Sequence, residues 1–406
     1  MVTGAEGPAI PANLERLTAR MDELGLDAVV ATTYENVRYL TGVSSVALEV
    51  FPHSGQFYAV VTRDRPEQIR LVTSRCDADQ VQDVLPPVAS ATGYGTFHRE
   101  RGEDVVLTDD EETLWRIAVD GPAPATALDA LVHTLRAAGL DRARIAVDEE
   151  GVPHGYLDAL REAVPGAAVR LGSEVLRWTR KVKTPEEIRR LTAVAALTEE
   201  GIRAVTAAAR PGVTQRDLVR EFETTVVAAG ARPKFTLIHF GRGGVAGQAV
   251  SREPLRRGDS LWLDVGCVLD GYWSDIARLH SLGEPSERLA RYHAAMVAGE
   301  DRALAMARPG MTGKELFDLA VEAVREAGVP HYRRHHVGHG IGVEIYEPVL
   351  ITPDNDDCLE EGTVVNFETP YYEFGLGAVQ IEDPFVVTAG GNRLLTTLDR
   401  RLTVIG

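Results

Sequence analysis

The chain changes character between Ser173 and Thr184. There the basic stretch RWTRKVK runs into Thr184-Pro185-Glu186-Glu187. Threonine as N-cap, proline at the first helical position and glutamate at the third form a capping box. A long helix is therefore predicted from Thr184, through EEIRRLTAVAALTEEGIRAVTAAA, to a stop at Arg210-Pro211-Gly212. The segments before and after this point follow different patterns. Two domains are expected, residues 1–175 and residues 176–406.

The first half alternates between helical and strand-like segments. Asn13 to Leu26 sets Leu14, Leu17, Met21 and Leu24 at helical spacing, with Gly25 as a stop signal. DAVVAT and FYAVVT read as strands, TALDALVHTLRAAGL as a helix and RIAVDEE as a strand, which together predict an α/β domain. LPPVASATGYG and DGPAPAT read as loops from their glycine and proline content. In the second half, three more helices are predicted in TQRDLVREFETTVVAAG, SERLARYHAAMVAGEDRALAMA and TGKELFDLAVEAVREAG. Around them lie three β-rich segments, DSLWLDVGCVLDGYWSDIARLHS, GTVVNFETP and AVQIEDPFVVT, which predict an α+β domain.

Charge follows the same division. Residues 1–175 carry 28 acids and 15 bases, and residues 176–406 carry 32 and 28. The net charge of −17 argues against a nucleic-acid partner, whose phosphates would be repelled. No apolar run approaches the roughly 18 residues of a membrane span, so no membrane partner is expected. The N-terminal residues have no basic region followed by an apolar stretch, so no signal peptide is expected. Cys76, Cys267 and Cys358 make neither a disulfide framework nor a CxxC site, which fits a cytoplasmic location.

Five residues of the second half stand where chemistry is expected. Asp264 interrupts the apolar strand LWLDVG, and Asp275 follows eleven residues later, beyond a Gly-Tyr turn. Both are drawn inward by apolar neighbours, and a buried carboxylate needs a compensating charge. Divalent cations favour carboxylate oxygens. His339 sits among glycines 338, 340 and 342, which leave room around its ring. Glu368 in VVNFETP and Glu382 in AVQIEDPFVV complete the set. Taken singly, each has an ordinary structural explanation; the order Asp, Asp, His, Glu, Glu carries the information. GRGG at 241–244 and GHGIG lack the context of a phosphate loop.

With these residues, the GYxSD turn, GHGIG and IED, the second half resembles the pita-bread family of creatinase, aminopeptidase P and methionine aminopeptidase, peptidase family M24. ENVRYLTG at 35–42 resembles a segment of the creatinase-type N-terminal domain, and the whole is most similar to Xaa-Pro dipeptidases. The resemblance implies a creatinase-like α/β domain followed by an α+β pita-bread domain. It implies two divalent metal ions (Mn, Co, Zn or Fe) held by Asp264, Asp275, His339, Glu368 and Glu382, with Asp275 and Glu382 bridging. A metal-bridging hydroxide would attack the scissile carbonyl, and Glu368 would shuttle the proton. His335 matches a family histidine that lines the site, and Arg278 matches the arginine of the family's D-x-T-R; both are expected to serve catalysis. A homodimer and a small peptide or small-molecule substrate are also implied.

The sequence departs from the peptidase pattern at three places. Two histidines that contact substrate in peptidase members fall at Gln248 and Tyr346, and the threonine of D-x-T-R is Ala277. Glutamine and tyrosine still donate hydrogen bonds. Glu368 is followed by Thr369-Pro370-Tyr371-Tyr372, where Tyr371 is expected to contact substrate or, alternatively, to face a surface or subunit contact. Two enzymatic readings therefore stand together. One is a metal-dependent hydrolase of Xaa-Pro dipeptides or a related small amide. The other is a non-peptidase relative, a C–N hydrolase or lyase, that keeps the metal site.

Overall fold

A computed structural model of the chain describes residues 12–84, 88–245 and 251–406. It divides into two compact units, Met1–Arg180 and Lys181–Gly406. The division falls at the end of a helix that a boundary at 175/176 would cut.

The first unit is built on a six-stranded sheet. Its strands are β1 (Ala28–Ala31), β2 (Tyr58–Thr62), β3 (Ile69–Ser74), β4 (Val88–Tyr94), β5 (Arg144–Val147) and β6 (Ala168–Leu171), in the order β4-β3-β2-β1-β5-β6. The antiparallel pairs β1–β2 and β2–β3 are flanked by parallel pairs, so the sheet is mixed. Strand β4 corrects the expectation of a loop at LPPVASATGYG. It is an edge strand, and a half-solvated edge needs few of the β-branched residues that mark a central strand. Helix α1 (Leu14–Leu24) begins on the Asn13 side chain and ends at Gly25, whose φ of 63° suits glycine. ENVRYLTG forms helix α2 (Tyr34–Thr41). Helix α3 (Ala127–Ala137) sends Leu131 and Leu135 into a core with Val30, Tyr58, Val60 and Ile145. The unit closes with α4 (Ser173–Arg180), whose buried Arg180 donates to Asn36 Oδ1 at 2.7 Å.

The second unit opens on the predicted capping box, with Thr184 N–H bonded to Glu187 and Glu187 N–H to Thr184 Oγ1. From it runs α5 (Pro185–Ala208), followed by α6 (Gln215–Ala228), α7 (Glu287–Met306) and α8 (Gly313–Glu326), capped by Thr214, Ser286 and Thr312. The strands are β7 (Arg232–Phe240), β8 (Ser260–Leu269), β9 (Tyr272–Trp273), β10 (Ile276–Leu282), β11 (Gly338–Gly340), β12 (Val364–Glu368), β13 (Tyr371–Glu373), β14 (Gly377–Val379) and β15 (Glu382–Val386). The main sheet runs β11-β12-β15-β10-β8-β7, and β13 and β14 form a separate hairpin. Strands β7 and β11 add to the β-segments expected from the sequence. Phe367 and Phe385 pack with Leu316, Ala320 and Val324 of α8 in the main core. Among the described residues, no helix is long and apolar enough to cross a membrane.

Candidate metal centre

Strand register assembles the site. Glu368 of β12 pairs with Glu382 of β15, Ala277 of β10 pairs with both Glu382 and Asp264 of β8, and the four make one row across the sheet. Directly opposed residues share a face, so the three carboxylates project to the same side. Asp275 precedes Ala277 by two residues and therefore joins that face. The spacing between the aspartates is set by a two-residue turn, Asp270-Gly271, in which both φ angles are positive (50° and 84°). That left-handed pair matches the twist of a tight hairpin. On the next strand out, β11 pairs with β12 and carries His339. A Cβ at Gly338, where φ is 147°, would sit 2.6 Å from the Asn366 carbonyl oxygen, so the close approach of these strands requires glycine.

Asp275 Oδ2 lies 3.6 Å from His339 Nε2. One donor atom each from Asp275, His339 and Glu382 lie within 4.8 Å of one another. Asp275 Oδ1 and His339 Nε2 are buried without a hydrogen-bond partner among the described residues. His339 Nδ1 is 2.9 Å from the Gly340 carbonyl, which can only accept, so that contact leaves the Nε2 lone pair free. Oxygen and imidazole donors with open valences suit a divalent cation.

The electrostatics point the same way. Burial, then the neighbouring Asp275 and Glu368, push the Asp264 carboxyl well above its ordinary range. Burial, then Asp275, Glu368 and Asp264, do the same to Glu382. Burial also raises Asp275. For His339, burial works downward but contact with Asp275 outweighs it, and the net direction is up. Glu368 is the exception. Burial would raise it, yet His336, His339 and Arg334 hold it below the usual carboxylate range. Carboxylates crowded at this distance repel unless cations lie between them.

Neutral amides hold the carboxylates in place. Gln380 Nε2 donates to Glu368 Oε2 (3.1 Å) and Glu382 Oε2 (2.9 Å). Asn366 Nδ2 donates to Glu382 Oε1 at 2.6 Å. Gln380 Oε1 in turn accepts from Trp262 Nε1 (3.0 Å) and the Tyr372 hydroxyl (3.4 Å).

Several expected site residues take other places. His335 is exposed, with its ring against that of His336; it is His336 whose Nε2 lies 2.6 Å from Glu368 Oε1. Tyr371 turns away from the carboxylates, bonding to His331 and Glu373, while its neighbour Tyr372 faces Gln380. Adjacent residues of an extended segment point to opposite sides, and spacing alone does not give the phase. Arg278 stands one residue beyond Ala277 and so projects from the other face of β10. It is 2% exposed, pairs with Asp383 at 2.6 Å, and donates to the carbonyls of Glu382 (3.0 Å) and Ala277 (2.8 Å). It braces the strand of a candidate ligand from behind and is not placed to touch substrate. Gln248 lies outside the described residues.

Tyr346 reaches the site. Its ring stacks on His339 at 3.7 Å, and its hydroxyl is 3.4 Å from His336 Nε2. The loop that carries it is pinned by a buried ion pair between Lys183 Nζ and Glu347 Oε2 (2.8 Å). Glu347 Oε1 also accepts the Val343 and Glu344 N–H groups.

A face of carboxylates and one histidine on an antiparallel sheet, braced by amides and backed by helices, defines a metal-dependent hydrolase of the pita-bread class. The chain belongs to metallopeptidase family M24, whose pattern matches residues 189–389, and residues 13–182 match the creatinase/prolidase N-terminal domain. Over 232 residues it is 32% identical to the Xaa-Pro dipeptidase of Pyrococcus furiosus, covering 56% of this chain and 67% of that one. Two solved structures share the fold. The Xaa-Pro dipeptidase from Bacillus anthracis has a TM-score of 0.78 at 23% identity, over 97% of this chain and 99% of its own. The X-Pro aminopeptidase from Thermotoga maritima has a TM-score of 0.75 at 24% identity, with the same coverage.

Proposed function

We propose that this enzyme hydrolyses Xaa-Pro dipeptides. The Xaa-Pro dipeptidase of P. furiosus, a relative within the same family, supports the substrate class. The observation that carries the reading is the pair of buried, unpartnered donor atoms, Asp275 Oδ1 and His339 Nε2, gathered beside Glu382. Asp264, Asp275, His339, Glu368 and Glu382 would hold two divalent cations, of manganese, cobalt, zinc or iron type. Bound there, the cations supply Lewis acidity and neutralise the carboxylates.

The chain's own groups do the rest. Glu368, kept ionised by His336 and Arg334, takes a proton from the attacking water and passes it to the leaving nitrogen. The Tyr346 hydroxyl is the donor offered to the carbonyl oxygen as charge develops on it, while His336 stays on Glu368. Gln380 and Asn366 keep Glu368 and Glu382 in register, so little reorganisation is needed during reaction. A homodimer in the cytoplasm completes the proposal; the free cysteines suit a reducing compartment.

Metal analysis combined with a dipeptide screen tests the reading. Protein supplied with Mn²⁺ or Co²⁺ should bind metal and release proline from Xaa-Pro. Asp275→Asn should abolish both. Bound metal without turnover of any Xaa-Pro dipeptide would refute the substrate assignment.

A further inference from the structure

Tyr346 is 49% exposed and lies in irregular chain, yet its ring is held within 15° of parallel over His339. No strand register fixes a side chain there; the residue that follows it does. Glu347 N–H bonds to the Gly340 carbonyl (2.8 Å) and Gly340 N–H to the Glu347 carbonyl (3.0 Å), which closes residues 341–346 into a loop off the end of β11. The Glu347 side chain turns into that loop. Its Oε1 accepts two of the loop's N–H groups, and a Cβ on Gly342 would meet its Oε2 at 2.6 Å, so the loop backbone wraps the carboxylate. The same Oε2 accepts from Lys183 Nζ. Lys183 N–H is itself held by the Gly362 carbonyl at 3.0 Å, and its neighbour Val182 bridges to Thr363, immediately before β12, the strand that ends on Glu368. The pair therefore ties the loop of Tyr346 to the strand of Glu368. Its side chains are 0% and 1% exposed, and an ion pair so far from water adds little net stability. What it supplies is placement, through a charge-assisted bond of defined length and direction.

We infer that Glu347 and Lys183 are positioning residues that act through Tyr346, holding its hydroxyl where the reaction needs a donor. Their effect on rate rests on the dipeptidase reading; their effect on the ring does not.

The test uses the full-length, metal-loaded protein, unlabelled for kinetics and with fluorotyrosine incorporated for fluorine NMR. The signal of residue 346 is assigned by its loss in Tyr346→Phe. Glu347→Gln keeps the shape of the side chain and removes its charge. Its kcat for Ala-Pro should fall about ten- to hundred-fold, approaching the loss of an oxyanion donor, while KM and bound metal stay near wild type. Added to Tyr346→Phe, the same change should cost nothing further, because the hydroxyl it positions is already gone. The fluorine signal of residue 346 should move and sharpen as the ring leaves His339. Lys183→Met combined with Glu347→Gln removes both charges and should give the same results, including where the single variant does not fold. Losses that multiply when Glu347→Gln is added to Tyr346→Phe overturn the inference, as does a moved signal with unchanged kcat. Turnover of Ala-Pro and a signal that Glu347→Gln both leaves intact would keep the dipeptidase and remove the positioning residues. A signal that moves in Glu347→Gln, when the wild type hydrolyses no Xaa-Pro dipeptide, would keep the positioning residues and remove the dipeptidase.

Discussion

Replacing Arg278 by methionine should destabilise the second unit far more than an ordinary core substitution. The guanidinium is buried with Asp383, which is 0% exposed, and the two side chains meet at 2.6 Å. It also accounts for the carbonyls of Ala277, Glu382 and Leu398. Methionine fills the stem's volume but strands the Asp383 charge, and breaking a buried pair in this way costs about 3–5 kcal/mol. For a domain of this size that corresponds to a fall of about 6–20 °C in the unfolding midpoint. Thermal and urea unfolding at pH 7, followed by circular dichroism, read the effect directly. Adding Asp383→Asn to Arg278→Met should recover much of the loss, because the stranded charge disappears while Thr396 keeps an acceptor. If Arg278→Met unfolds with the wild type yet loses turnover, the guanidinium works at the reacting face and its placement behind the sheet is wrong. If the double variant is no more stable than the single one, the stranded charge is not the cause.

Glu187 is buried, and that burial lifts its carboxyl to about 7 against an ordinary 4.5. The folded state then keeps a proton that the unfolded chain releases, so this residue erodes stability as pH rises from 4.5 to about 7, by about 3 kcal/mol in all. Urea unfolding on either side of that window should find Glu187→Gln more stable than wild type at pH 8 and no more stable at pH 4.5. His293 shows the opposite slope, since burial and then Arg278 lower it from 6.5 to about 4. Stability tied to it is present above pH 6.5 and lost as pH falls toward 4, by about 3 kcal/mol, so the acid-side decline should be shallower in His293→Gln. Tyr346→Phe keeps the ring on His339 but removes the hydroxyl; kcat should fall about 10²-fold if that hydroxyl faces the developing oxyanion, and an unchanged kcat would limit Tyr346 to packing.

The sequence marked much of this architecture because its signals were local. Thr184, Thr214, Ser286 and Thr312 are N-caps, and each of the four helices begins beside one. Asp264, Asp275, His339, Glu368 and Glu382 could be singled out because charged groups in apolar strand contexts are conspicuous. Choices between neighbours were hidden. Whether His335 or His336, Tyr371 or Tyr372, or Ala277 or Arg278 faces the centre depends on which residues the next strand sets opposite. That register is a long-range property. Gln380 and Asn366 are hidden for a different reason: a neutral amide in a strand looks unremarkable until the carboxylates it holds are seen, Glu368 and Glu382 for Gln380 and Glu382 for Asn366. The one available signal was position, since Gln380 stands two residues before Glu382 and therefore on its face.

The row from Glu368 through Glu382 and Ala277 to Asp264 also bears on how the chain reaches this state. Its members come from segments far apart in sequence, and helices α7 and α8 lie in the chain between Ala277 and its partner Glu382. The pair β8–β10 gathers Asp264 and Asp275, and the pair β12–β15 gathers Glu368 and Glu382, so neither pair alone holds more than two of the carboxylates. A cation would therefore find weak purchase on partly folded chains and would bind chiefly to the finished sheet, tying position 275 to position 382 like a clasp across a long loop. Metal should accordingly slow unfolding much more than it speeds folding, and the chain must complete its most distant strand pairings before the ion can help it.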